Sequence, residues 1–197
     1  MGWFGVSNSA NRSNNLESMA IDLNNTRFLR NTTGQMLAAT DYQLGRANAL
    51  AGVVGSQPST QLYSRNNVSS TAGELATELR FAIQDGQRFR AAISELNSEI
   101  TKGTQLVETL LGQYNQPRGQ RTLRFGPQNV PPSGKEIAVV SDQVANTCIS
   151  KVEKFSQINQ SSMARSFGII EKADGLVTGQ VNSEQRPESY LRRLLNS

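Results

Sequence analysis

Histidine is absent from the 197 residues, and one cysteine is present. The missing imidazole removes the usual general base, the commonest metal ligand and the side chain that titrates near neutral pH. A lone Cys148 can close no intramolecular disulfide and build no cysteine zinc site. With Val144, Thr147, Ile149 and Val152 around it, it reads as a small buried apolar residue. Aromatics supply 6% of the chain and hydrophobic residues 37%, against about 45–50% in average globular proteins. The core is therefore thin or completed by neighbours. Charged residues are also scarce at 18%, with a net charge of +4, which is too small to hold a chain open by self-repulsion. The best apolar run, Leu50 to Val54 with Gly52 inside it, is far shorter than the roughly 20 residues of a membrane span. The opening MGWFGVSNSANRSN has neither a basic region leading into an apolar stretch nor a small-residue cleavage site, so no secretory signal is read.

Six prolines, at 58, 117, 127, 131, 132 and 187, leave three long stretches in which a helix can run unbroken. In the second, Ala72, Leu75, Leu79, Ala82, Gly86, Phe89, Ile93, Leu96, Ile100, Gly103, Val107, Leu110 and Tyr114 alternate three and four apart, the seam of a left-handed coiled coil. Ser70 or Thr71 with Glu74 predicts a capping box, and Asn115-Gln116-Pro117 a stop. Such a rod would be about 65–70 Å long. The first stretch carries a poorer register through Leu16, Met19, Leu23, Thr26, Arg30, Thr33, Leu37, Thr40, Leu44, Ala47, Ala51 and Val54. Its polar middle predicts a helix that packs on the second helix and on something else. The third, through Ile137, Val140, Val144, Cys148, Val152, Phe155, Met163, Phe167, Ile170 and Val177, has a period near 11/3 and predicts a straighter helix from Ser133 or Gly134 towards Val181.

The expected fold is all-α: three long helices forming an extended helical hairpin and coiled-coil bundle with a Pro/Arg-rich linker. Four regions follow from it. Residues 1–14 are a flexible N-terminal anchor, 15–116 the hairpin, 117–134 the basic Pro/Gly-rich linker, and 135–197 the third helix with a basic tail. Thr122 to Phe125 could add a short strand, and the segment after Pro187 a short basic amphipathic helix. Leu75, Leu79, Phe89, Ile93, Leu96, Ile100, Val107 and Leu110 are the assembly seam.

Arg118, Arg121 and Arg124 recur every third residue and end on Phe125, a spacing that in an extended segment can meet successive carboxylates or phosphates. With 20 basic against 16 acidic residues, an acidic protein surface is favoured over nucleic acid. Trp3 and Phe4 between Gly2 and Gly5 put aromatic anchors at a polar terminus and are read with those arginines as partner-binding. Gly34, Gly45, Gly86 and Gly103, read as core or near-core, each cost a helix about 1 kcal/mol relative to alanine. Close approach of a partner backbone, or a helix that must bend, would offset that. Glu95 with Glu99, and Glu17 with Asp22, are spaced as ordinary surface acids. No phosphate-cradling glycine loop occurs. No catalytic residue, metal ligand or cofactor is expected, and the chain is not read as an enzyme.

The Ala/Gln/Asn-rich, glycine-interrupted stretch from Gly34 to Gly52, and Gln160-Ser161-Ser162-Met163-Ala164-Arg165, resemble in texture the internal virion or ejection proteins of short-tailed bacteriophages. Flagellin-like and secretion-needle proteins, and helical coat subunits of rod-shaped viruses, share that texture. The resemblance implies a protein made in the host cytoplasm and packaged in the virion. There it would form a homo-oligomeric ring, tube or filament beside portal or tail proteins, with transient membrane contact during genome ejection. The alternatives are a nucleic-acid-binding packaging protein and a coat or flagellin-like filament subunit.

Overall fold

The computed structural model describes residues 4–63, 69–179 and 186–196, with nothing said of the side chains of residues 4–10 and 69. It is 84% helical, with four helices and almost no strand, so the all-α expectation holds. Helix α1 runs Phe4–Gly55, α2 Ala72–Asn115, α3 Gly134–Thr178 and α4 Pro187–Leu195. Between α1 and α2, strands β1 (Gln61–Tyr63) and β2 (Ser69–Thr71) pair antiparallel with Leu62 opposite Ser70.

The helix ends follow local chemistry. Thr71 Oγ1 accepts the Glu74 N–H at 3.1 Å while the Glu74 carboxylate accepts the Thr71 N–H at 3.0 Å. This is the predicted reciprocal cap, and it satisfies amides that the first helical turn leaves unpaired. Ser133 and Glu136 form a second such box at the start of α3. Pro117 ends α2, Pro187 opens α4, and the pyrrolidine ring suits both places. The expected N-terminal boundary is different: α1 begins at Phe4, so residues 4–14 are helical rather than an anchor outside the helix.

Packing divides the chain into two units, residues 1–31 with 98–151, and residues 32–97 with 152–197. The four-region division read from proline placement does not coincide with these units. Proline marks where a helix must end, whereas a packing unit is set by which stretches of different helices share contacts.

In the first unit Met19 from α1, Leu110 and Tyr114 from α2, and Ile137 and Ala138 from α3 form one apolar cluster. In the second, Phe89 and Phe167 meet with centroids 6.2 Å apart and ring planes tilted by 45°. There Gly86 makes room, because a Cβ at that position would lie 2.6 Å from Leu44 Cδ2. Every seam position from Ala72 to Tyr114 is buried except half-buried Gly103. Each fully covered Leu, Ile or Phe there contributes about 1.5–3 kcal/mol.

Candidate functional site

The eight seam residues named from sequence are spent inside the chain, at 4% exposure or less. Trp3 lies outside the described residues, and of Phe4 only its place as the first residue of α1 is described.

The linker arginines differ from the reaching loop expected of them. Arg121 is buried, and its guanidinium donates to three carbonyl oxygens: Gln113 at 3.0 Å, Tyr114 at 3.3 Å and Pro132 at 2.5 Å. Two of these belong to the last turn of α2, whose carbonyls have no partner within the helix. Arg121 therefore caps α2 and ties the far end of the linker to it, and it is not available to a partner. Gln113 completes the knot, accepting the Thr122 N–H at 2.8 Å and donating to the Thr122 hydroxyl at 2.9 Å. Phe125 is likewise used internally, half-buried against the Met19–Tyr114–Ile137 cluster. The strand expected over Thr122 to Phe125 shrinks to a single bridge between Phe125 and Val130. Gly126 closes that turn at φ +73° and Asn129 at φ 52°, and the flanking prolines lack the donors that a longer ladder needs. Arg124 folds back on the carbonyls of Arg121 and Leu123. Arg118 stays exposed, its Nε donating to the Pro131 carbonyl at 3.1 Å.

Beside this knot lies an open cleft of about 620 Å³, lined by Arg12, Arg118, Arg121 and Lys135 together with Asn11 and Asn15 from α1 and the ends of α2 and α3. Sequence reasoning missed Arg12 and Lys135. One signal was available: a lysine in the first turn of α3 sits at the positive end of the helix dipole, where a cation is normally disfavoured. The carboxylate of Glu136, next to Lys135 in sequence, is already held by the Ser133 N–H and hydroxyl. Those hydrogen bonds, helped by the Arg118 charge, keep it below the usual carboxylate range.

Elsewhere in the first unit Asp22 is buried and accepts the Ser141 hydroxyl at 2.7 Å. Burial pushes its carboxyl up, the Ser141 bond opposes this and Asp142 adds to it. Asp22 is thus not the surface acid that its spacing suggested. Cys148 is buried as expected, its thiol pushed up by burial against the opposing charge of Lys151. A Cβ on Gly103 would lie 2.6 Å from its sulfur.

The second unit gathers buried charge. Asp174, at 3% exposure, pairs with Arg46, and Arg186 pairs with Glu171 and Glu188. Burial pushes the Glu188 carboxyl up, partly offset by its own backbone N–H and by Arg186 and Arg192. On the outer face of α1 in this unit, Ala38, Tyr42, Gly45, Ala49, Gly52 and Val53 are all exposed. A Cβ on Gly45 or Gly52 would meet nothing within 4 Å. Gly45 is therefore not a core glycine, while Gly86 is.

Among the described residues no helix is long and apolar enough to cross a membrane, and no group of three or more His, Cys, Asp or Glu side chains could hold a metal ion. The chain thus belongs to the all-α class by its fold. No protein-family model, curated protein or solved structure matches it.

Proposed function

We propose that this is a structural assembly protein that associates with copies of itself into a ring, tube or filament. Its specific form would be an internal virion protein of a short-tailed phage acting in genome ejection. The observation that carries the reading is the outer face of α1 at Tyr42, Gly45, Ala49, Gly52 and Val53. Two glycines inside a helix each cost about 1 kcal/mol, and nothing among the described residues approaches them closely enough to need their missing side chains. Small residues spaced three and four apart beside an exposed tyrosine and valine suit a second helix lying close against the first. A second copy of the same chain is the occupant that requires no further component.

The same reading takes the Ala72–Tyr114 seam as coiled-coil packing within a hairpin of long helices, supported by its three-four spacing and its burial. Portal or tail proteins are the further partners, made in the host cytoplasm and packaged with the chain. The polar, glycine-interrupted texture supports this narrower form.

The test is Ala49→Glu, which puts a charge on the outer face while keeping a good helix former. Light scattering should give a multimer for the parent and a smaller species for the variant, with circular dichroism unchanged. A monomeric parent, or a variant of unchanged mass, would sink the assembly reading. The phage form is tested separately, by mass spectrometry of purified particles before and after ejection. The chain should be present in the first and lost from the second.

A further inference from the structure

We propose that the cleft at the junction of α2 and α3 is a binding site for a phosphate-type polyanion. The reading is independent of assembly. Four cationic side chains line the cleft, and no acidic side chain lines it among the described residues. Arg121 is committed to the carbonyls of Gln113, Tyr114 and Pro132, so its charge contributes while its donors do not. Arg118 uses Nε on Pro131 and keeps the two Nη groups of its fork. Arg12 and Lys135 are exposed and make no hydrogen bond or ion pair through their side chains among the described residues. Like charges converging on one cleft repel each other, and the Glu136 carboxylate, held by the Ser133 N–H and felt by Arg118, offsets only part of that repulsion. A bound anion relieves that repulsion.

Charge and shape select the class of anion. A single carboxylate brings one negative charge to three available cations, whereas a phosphate dianion or polyphosphate matches them and offers several oxygens. Those oxygens suit a guanidinium fork, an ammonium and the amide groups of Asn11 and Asn15 together. Among the described residues the cleft offers no platform for a nucleobase. Its aromatic lining residue, Tyr114, is 5% exposed, and its ring lies so close to Gly134 that a Cβ there would sit 2.7 Å from Tyr114 Cε2. The site reads phosphate and not base. The phosphate can come free in solution or from a nucleic-acid backbone.

Calorimetric titration of the full chain with sodium tripolyphosphate at low salt is the test, with Arg12→Gln, Lys135→Gln and the double variant alongside. Each single variant should bind about tenfold more weakly, the magnitude of one charge-assisted contact, and the double variant should show no binding. Circular dichroism of all three should match the parent. A labelled single-stranded oligonucleotide then separates the two sources. If it binds the parent, is displaced by tripolyphosphate and fails to bind the double variant, the phosphate belongs to a nucleic acid. If tripolyphosphate binds and the oligonucleotide does not, the ligand is free. Absence of tripolyphosphate binding by the parent, or equal affinity in the parent and the double variant, overturns the proposal.

Discussion

In α2, residues with one spacing are buried along the helix and most of those between them are charged or polar. In α1 the two kinds of residue are partly exchanged. Its inner face buries Thr26, Thr32, Thr33, Thr40 and Gln43, while Ile21, Phe28, Tyr42 and Val53 are between 41% and 57% exposed. The buried threonines are satisfied locally or by a neighbour: Thr40 donates to the Met36 carbonyl at 2.9 Å, Thr26 to Leu23 at 3.1 Å, and Thr33 accepts from Asn97 at 2.8 Å. Burying them costs little once they are bonded, but it contributes little apolar area. Packing within one chain explains the seam of α2, and leaves out Phe81 at 64% and Leu106 at 42% exposure. It explains half of the pattern of α1, and the unexplained half is its outer face.

The sharpest way to break this contrast is Ile93→Asp. Ile93 is fully buried in the seam, and an unpaired carboxylate there should cost about 4 kcal/mol or more. Urea unfolding followed by circular dichroism should show loss of the folded chain, whereas Ile21→Asp on the outer face of α1 should leave the monomer folded. Comparable losses in both would erase the distinction. Next in size is Arg121→Ala, which removes the donors to the Tyr114 and Pro132 carbonyls and leaves that of Gln113 with the Gln116 N–H alone, and should cost about 2–3 kcal/mol. Arg118→Ala, changed in the same way on the exposed side of the linker, should cost well under half of that. Equal effects would mean that Arg121 is not the cap.

The glycines give a pair of opposite signs. Gly86→Ala drives a methyl into Leu44 and should destabilise by about 1–2 kcal/mol. Gly45→Ala meets open space, should raise helix stability by about 1 kcal/mol, and on the assembly reading should lower the multimer fraction. Thermal melts and sedimentation of the two variants measure both signs. The smallest effect is in pH dependence. Glu188 is held above its ordinary value by burial, so its protonated form is the one favoured by folding. The stability it contributes is full below its unfolded pKa and is lost as pH rises through the elevated folded value. Glu188→Gln removes that dependence. Melting temperatures taken from about pH 4 to pH 8 should therefore favour the parent progressively, relative to the variant, as pH falls; a constant difference would contradict the burial argument.

Much of the fold was legible because its signals are local. Thr71 with Glu74, Pro117 and Pro187 act through neighbouring backbone, and the three-four spacing of Ala72 to Tyr114 is read along one helix. The start of α1 was not legible: Ser7, Asn8, Ser9, Asn11, Ser13, Asn14 and Asn15 are weak helix formers whose helicity is not set by propensity. Glycines 45, 86 and 103 look alike in sequence, yet one faces open space, one meets Leu44 and one meets Cys148. What decides between them lies on another helix. Arg121 misled for the same reason. A basic residue in a Pro/Gly-rich segment looks solvated, and its use as a cap depends on carbonyls brought to it by tertiary packing. The basic cleft unites Arg12 with Lys135, residues that no spacing rule along the chain connects.

The notch at Gly103 gives the protein a built-in reporter. Cys148 is the chain's sole sulfhydryl and sits over that notch, shielded from solvent. An open pocket lined by Gly103, Val144 and Lys151 leads to the 4%-exposed Cys148, so a disulfide reagent reacts at a single place and at a rate set by how freely that pocket admits it. The rate of that reaction reports access at this one point of the first unit without adding a label or changing a residue.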